Sequence, residues 1–404
     1  MRGVVPTLPP SLRIAAYGVA SIAGDRREFP TRPDPQGSAP PPSARELPKL
    51  NGALSPQARR KRRVRLARAN GYPSRVLPVC FVTGATGFVG RHLLPLLQRE
   101  FQLRVLVRPG QQLPEIAGRE MERVEGRLAD AGALQRGVQD ADVVVHLAAL
   151  VSFRSEDRAA MFEANAKATA DLTAAARIAG VRRFLHVSTI SAVAFRNEPE
   201  LVNEQAPYNF GPLRIGYCDS KFAAEQRALA EFTRGLDVVI VNPPSMYGAG
   251  DRRKVDGSLL TAVMRGQLRV APPGGLNVAS VEDVCTGIMS ALHRGRSGQR
   301  YILGGENLTG RDLLQRVARI VGARAPRRTL STSLVRAAAR AMAIKERVFG
   351  SKPPLTSEVL RLAPRFLWFS SKKAEDELGW RPGSVDVGIA AAWREMQGSE
   401  PSPR

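Results

Sequence analysis

The sequence is poor in residues that staple a chain or ligate a metal. Its three cysteines, Cys80, Cys218 and Cys285, stand far apart and form no CxxC pair. That excludes a disulfide framework and a cysteine-based zinc site, and it fits a reducing compartment. The four histidines, His92, His146, His186 and His293, form neither HxH nor HxxxH, so no metal centre is expected. No apolar run reaches the roughly 18 residues that span a bilayer, and the N-terminus lacks the compact apolar stretch of a secretory signal. The expectation is a soluble cytoplasmic protein, with organelle targeting by the N-terminal extension as the alternative.

What is present is enough apolar material, 43% of 404 residues, to bury a core and form two lobes. Net charge is +23, and it is concentrated at the front: residues 1–78 hold 15 Lys/Arg against 4 Asp/Glu. This segment includes the run Pro40-Pro41-Pro42 and has no apolar period, so it is expected to be a disordered basic Pro/Arg-rich extension, as is the tail at 398–404. The run from Arg59 to Arg63 specifies no partner by itself. It reads as a solvated tail, a targeting segment or sequence ahead of the true start, and no specific nucleic acid is expected.

From Pro78 onward, short apolar runs alternate with longer helical stretches. Strands are expected near 79–83, 103–107, 142–146, 183–188 and 237–241, with helices near 88–99, 159–179 and 216–232. Helix-sized connections between strands imply parallel pairing covered on both faces. Further helical stretches fall near 257–265, 281–293, 310–321 and 332–343. The last continues through Leu334 to Phe349, which interleaves Ala, Met and Val with Arg336, Arg340, Lys345 and Arg347. It reads as a lid helix, with peripheral contact to a membrane surface and recruitment of a lipid-like substrate as the alternative.

The first strand, Val79-Cys80-Phe81-Val82, runs into Thr83-Gly84-Ala85-Thr86-Gly87-Phe88-Val89-Gly90 and then a helix containing Pro95, which should kink it. Gly84 permits a tight turn, Gly87 lets the backbone approach a pyrophosphate, and Gly90 lets helix and strand pack closely, with the helix N-terminus offering N–H donors. The second strand ends in Arg108, where an acidic residue would bind the adenosine ribose of NAD. An arginine there favours a 2′-phosphate, with Arg91 as a second contact, so NADP is the expected cofactor and NAD the alternative. The fold class follows: α/β, a Rossmann-type doubly wound parallel sheet over 79–242 that binds NAD(P), with a smaller C-terminal lobe, 243–397, that mainly binds substrate and interleaves with it.

Tyr217 and Lys221 stand four residues apart, on one helical face. A neighbouring ammonium favours the phenolate, which suits Tyr217 to proton exchange with a substrate oxygen. The strand ending at Val187 delivers Ser188 and Thr189 to the same sheet edge, Thr189 being preferred to hold the substrate oxygen and Ser191 an outlying candidate. His146 and His186 lie in apolar strands and read as packed, hydrogen-bonded histidines.

These motifs, in this order, resemble the extended short-chain dehydrogenase/reductase family, the NAD(P)-dependent epimerase/dehydratases, over about residues 79–397. The matching landmarks are TGATGFVG at 83–90, DVVVHLAA at 142–149, NAKAT at 165–169, VSTIS at 187–191, YCDSK at 217–221 and NPPSMYG at 242–248. The resemblance implies a catalytic set of Thr189, Tyr217 and Lys221. It also implies cofactor contacts from Gly84, Thr86, Gly87, Phe88, Val89 and Gly90, from Ala148 and Ala149, from Tyr217 and Lys221, and from Pro243 to Met246, with Pro243 and Ser245 closing over the nicotinamide. Segments 276–309 and 370–380 look like the dihydroflavonol-reductase-like branch.

The sequence also departs from the family pattern. Gly126-Arg127-Leu128 stands where an acidic residue often meets the adenine, and Thr189 is followed by Ile190-Ser191 rather than the acidic pair of dehydratases. Without that pair, elimination is disfavoured. The expected activity is hydride transfer between the cofactor and a small molecule, interconverting a carbonyl and a secondary alcohol. The alternatives are a nucleotide-sugar epimerase that retains its cofactor and a non-catalytic NAD(P)-binding sensor.

Overall fold

The computed structural model describes residues 77–113, 120–251, 259–349 and 355–399; of the extension expected at 1–78, residues 1–76 lie outside the described residues, as do residues 400–404 of the tail expected at 398–404, whose first two residues end the last helix. Chain order begins β1 (Val79–Thr83), α1 (Phe88–Gln98), β2 (Gln102–Val107), β3 (Glu122–Glu125), α2 (Ala131–Val138) and β4 (Val143–His146). There follow α3 (Arg158–Met161), α4 (Ala168–Ile178), β5 (Arg183–Val187), α5 (Gly216–Phe232), β6 (Val238–Asn242) and β7 (Ser245–Tyr247). Next come α6 (Leu259–Met264), β8 (Val270–Ala271), β9 (Gly275–Ser280), α7 (Val281–Arg294), β10 (Arg300–Ile302), β11 (Glu306–Thr309), α8 (Gly310–Val321) and β12 (Arg328–Thr329). The chain closes with α9 (Thr332–Phe349), α10 (Ser357–Leu362), β13 (Phe366–Leu367), α11 (Lys372–Leu378) and α12 (Val385–Ser399).

Seven strands form one sheet in the order β10-β6-β5-β4-β1-β2-β3, every pair parallel. Strands buried on both faces are what the apolar runs demand. In β1, Cys80 and Val82 enter a core shared with Leu93, Leu94 and Leu97 of α1, whereas Val79 and Phe81 enter the opposite one, shared with Leu134 of α2, Leu172 of α4 and Ala228 of α5. The order reverses between β1 and β4, opening a crevice at their carboxyl ends where open α/β sheets bind ligands.

The sequence pattern named five of the seven strands of this sheet and missed two. In β3 only Val124 of Glu122-Arg123-Val124-Glu125 is buried, so no apolar run marks it. Strand β10 belongs to the chain after residue 243, yet it extends the main sheet beside β6, and α7 packs Val284, Ile288 and Ala291 onto the face already covered by α1. The rest of that chain builds a small sheet in which β9 pairs with β7, β11 and β13. Helix α1 passes through Pro95 without ending, Pro95 lying on its exposed side. The helix expected over 159–179 is interrupted: between α3 and α4 the chain widens into a π-helical turn, Phe162–Lys167.

Two glycines of the turn leave no room for a side chain. Gly84 has φ +76°, and a Cβ there would meet the Ala148 nitrogen at 2.6 Å; one on Gly90 would meet the carbonyl oxygens of Gly84 and Ala85 at 2.5 Å. Because those neighbours are backbone, Gly90→Ala is expected to lower unfolding free energy by about 1–3 kcal/mol and to weaken nucleotide binding. Urea unfolding and a nucleotide titration check this; unchanged values for both would show that α1 can slide on the turn.

Candidate active site

Gly84, Gly87 to Gly90, Leu147, Ala149, Val187 to Ser191, Tyr217, Lys221 and Pro243 to Met246 line one cavity of about 180 Å³ at the carboxyl ends of β1, β4, β5 and β6. Of the residues expected at the site, it therefore gathers Gly84, Gly87, Phe88, Val89, Gly90, Ala149, Thr189, Tyr217, Lys221, Pro243 and Ser245. Thr86, Arg108 and Ala148 lie beside it. Ala148 presses its backbone on Gly84, and its N–H points to the Thr83 hydroxyl at 3.3 Å. Thr86 and Arg108 are joined through one amide: Arg108 Nε donates to Gln111 Oε1 at 3.0 Å, and Gln111 Nε2 donates to Thr86 Oγ1 at 2.9 Å. Arg91 Nε reaches the Thr86 carbonyl at 3.3 Å, and Arg123 reaches the Gln111 carbonyl at 2.9 Å. Three guanidinium groups thus converge on the rim beyond β2.

Tyr217 and Lys221 sit on the buried face of α5, and Glu225, one turn further, continues that face with no exposed surface. Lys221 Nζ donates to the Val187 carbonyl at 3.0 Å. Burial lowers the Lys221 pKa to about 8, and the negative charge of Glu225 opposes that fall. Burial raises the Glu225 pKa, against the pull of Arg300, Ser188, Asn242 and Lys221. The Glu225 carboxylate accepts from Asn242 Nδ2 at 2.6 Å and pairs with Arg300 of β10 at 3.1 Å. The same Asn242 amide donates to the Thr189 carbonyl at 2.8 Å.

Thr189 is thereby held from two sides. Its carbonyl is fixed by Asn242, and its Oγ1 accepts the Ser191 N–H at 3.2 Å, opening the 3₁₀ turn Ile190–Ala192. With that acceptor position used, its hydroxyl proton is available to a ligand oxygen. Glu225, Asn242 and Arg300 are absent from the sequence-level site. The i, i+4 repeat Tyr217, Lys221, Glu225 is a signal that would have found the first; nothing local marks Arg300.

A second polar chain links the glycine turn to α5. Thr169 Oγ1 gives its proton to the Asn165 carbonyl at 2.5 Å, so it must accept from His146 Nε2 at 3.0 Å. His146 Nδ1 then carries no proton and accepts from Thr83 Oγ1 at 2.6 Å. Burial, aided by the Lys221 charge, lowers the His146 pKa to about 3, in keeping with this neutral tautomer. Asn165, within the π turn, pairs its amide with both backbone groups of Leu150 and donates to Ser220 Oγ at 2.9 Å. His146 is thus the packed, hydrogen-bonded histidine the sequence suggested. His186, its ring centroid 5.3 Å away and tilted by 33°, is also held neutral by burial and has no hydrogen-bond partner for either ring nitrogen among the described residues.

The far wall is apolar: Val151, Phe153, Leu276, Leu362 and Leu367, with the Phe153 and Tyr217 rings 5.6 Å apart. Lys221 and Asp251 are the charged side chains among its described lining residues. No described group of His, Cys, Asp and Glu is placed to hold a metal, and no described helix is long and apolar enough to cross a membrane.

The sequence and the fold match those of known proteins. The family model for the NAD dependent epimerase/dehydratase family matches residues 80–304. A putative dihydroflavonol 4-reductase from Synechocystis is 31% identical over 79% of this chain and 95% of its own. Sterol demethylase protein B from Methylococcus capsulatus is 31% identical over 78% and 98%. Among solved structures, gox2253 is 32% identical with a TM-score of 0.69, covering 80% of this chain and 98% of its own. The dTDP-glucose 4,6-dehydratase DesIV from Streptomyces venezuelae, solved with NAD bound, is 25% identical with a TM-score of 0.61, covering 80% and 97%. A Rossmann crevice with its glycine turn and a match across most of the sheet place this chain in the NAD dependent epimerase/dehydratase family, among the NAD(P)-dependent oxidoreductases.

Proposed function

We propose that the protein interconverts an apolar ketone and the corresponding secondary alcohol using NADP. The observation that carries this reading is the meeting, in one cavity, of the glycine turn, the Thr189, Tyr217 and Lys221 side chains and an apolar far wall. A nicotinamide nucleotide suits the near half. Gly87 is open on the side where its backbone would meet a pyrophosphate, a Cβ there finding only the Gly84 oxygen at 3.2 Å, and the α1 N-terminus faces the same space. When bound, the cofactor supplies or accepts the hydride.

The chain's own residues do the rest. Thr189, fixed by Asn242 and by its own turn, donates its hydroxyl to the substrate oxygen and orients the carbonyl. Tyr217 transfers a proton to that oxygen during reduction and removes it during oxidation. Lys221 stabilises the phenolate left behind, and Glu225 keeps Lys221 protonated in a pocket whose dryness opposes charge. The apolar wall excludes water and accepts an apolar substrate body, a reading supported by the sterol in the name of one relative. Arg108, with Arg91, holds the adenosine 2′-phosphate.

Three outcomes are expected. Tyr217→Phe lowers kcat/KM for NADPH-dependent reduction of a panel of sterol-like and aromatic ketones by about 10²–10⁴-fold; full retained activity would remove Tyr217 from the chemistry. Arg108→Ala raises KM for NADPH about tenfold or more with NADH use unchanged, and an unaltered preference would reject Arg108 as the phosphate partner. The pH profile tests Lys221. Its ammonium is the active form, so activity falls as pH rises through about 8. Glu225→Gln removes the charge that raises the Lys221 pKa, so this alkaline limb moves to lower pH. A limb that stays in place would show that Glu225 serves the fold alone.

A further inference from the structure

Helix α9 presents three faces. Val335, Ala338, Ala339 and Met342 are buried in the cluster that also holds Phe153, Leu362 and Leu367 of the substrate wall. A second face carries Leu334, Ala337, Ala341, Ile344 and Val348, all exposed, at alternating intervals of three and four residues that align them in one stripe. Leu334 is 47% exposed, Ile344 62% and Val348 66%, and these are three of the seven large apolar side chains exposed among the described residues. The third face is cationic. Arg336, Arg340 and Arg347, spaced by four and seven, form a parallel exposed row, and no described carboxylate pairs with them. The helix's one acidic residue, Glu346, is turned inward, accepting the Ser357 N–H at 2.8 Å and its hydroxyl at 2.6 Å. Arg365 stands close enough to Arg336 for their charges to repel.

We infer that α9 docks the protein on an anionic lipid bilayer, its apolar stripe entering the interface and its arginine row meeting the headgroups. Charge complementarity selects this occupant. An uncompensated arginine row beside an apolar stripe, with the only carboxylate withdrawn, is the pattern of an interfacial helix. The chain's own residues 1–76 are strongly basic and would be repelled by that row. A coiled-coil partner is disfavoured because two of the five stripe positions are alanine, leaving little to pack as knobs. The purpose of docking rests on the apolar-substrate reading: the inner face of the same helix packs in the cluster that walls the substrate cavity, so a lipid-like ketone or alcohol would be met where it resides.

The test is co-sedimentation of the full chain with vesicles of phosphatidylcholine alone and with about one third phosphatidylglycerol. The expected result is binding to the anionic vesicles that weakens with salt. That binding should fall about tenfold or more in Leu334→Ser/Ile344→Ser/Val348→Ser and about fivefold or more in Arg340→Glu/Arg347→Glu, with melting temperature and NADPH affinity unchanged. If the serine variant melts early, the charge-reversal variant at exposed positions decides. Wild-type protein that stays in solution, or variants that sediment as strongly as wild type and so assign binding to the basic N-terminal segment, would overturn the inference. So would a wild-type dimer that the serine variant makes monomeric, which would make the occupant a second copy. No turnover is measured, so failure here leaves the Tyr217 chemistry standing, and loss of that chemistry leaves docking intact.

Discussion

The arrangement depends on keeping a lysine charged where there is little water. Lys221 is 2% exposed and Glu225 fully buried, and each penalises the charged form of a group left alone. Together they offset one another, and the structure spends two further residues on the pair: Arg300 from the edge strand β10 and Asn242 from the end of β6. Because the Asn242 amide also binds the Thr189 carbonyl, the residue that holds the Glu225 carboxylate also fixes the backbone of Thr189. Electrostatics and geometry are therefore one constraint. Through Arg300, β10 ties its place beside β6 to this buried carboxylate.

A complementary chain runs through neutral groups. Thr83, His146, Thr169, Asn165 and Ser220 join the end of β1, through β4 and the π turn, to the helix that carries Tyr217 and Lys221. Fixed hydrogen-bond directions in a buried chain restrict relative motion of the elements they join. The π turn belongs to this logic: the wider turn coincides with the position from which Asn165 grips both backbone groups of Leu150. Such turns concentrate at functional sites. An uninterrupted α-helix over this stretch would be regular, but the segment leading from Ala149 along the cavity would lose that clamp.

Much of the fold was legible because burial on both faces writes itself as uniform apolar runs, as in Val143 to Val145 and Val238 to Val241. Strand β3 escaped because a strand at the sheet edge needs only Val124 inside. Legibility of the site followed a similar rule. Gly84, Gly90, Tyr217 and Lys221 are spaced by local geometry, a turn or a helix, and such spacing survives in sequence. Arg300 meets Glu225 across 75 positions of sequence, and Gln111 bridges Thr86 and Arg108 from a loop. Partnerships made by tertiary folding leave no local period to read. The histidines show the limit from the other side: His146 and His186 occupy paired register positions in adjacent strands, yet one is fully bonded and the other bonded to nothing described.

Three of the five far-wall residues come from a later part of the chain than the strand ends of the near half, and that difference bears on what can vary. The groups proposed to hold a nucleotide and move a proton arise from strand ends and α5, where changing one member disturbs the sheet register or the buried charge pair. The apolar wall draws Leu276, Leu362 and Leu367 from late segments tied together by short strands and by packing against α9. Packing among apolar side chains tolerates exchange of similar volumes far better than a buried ion network tolerates loss of a partner. On the proposed reading, substrate choice can therefore change through the wall while Thr189, Tyr217 and Lys221 stay fixed. Since the wall and α9 share one core, a change in what the cavity accepts also changes the seat of the helix that carries the exposed apolar stripe.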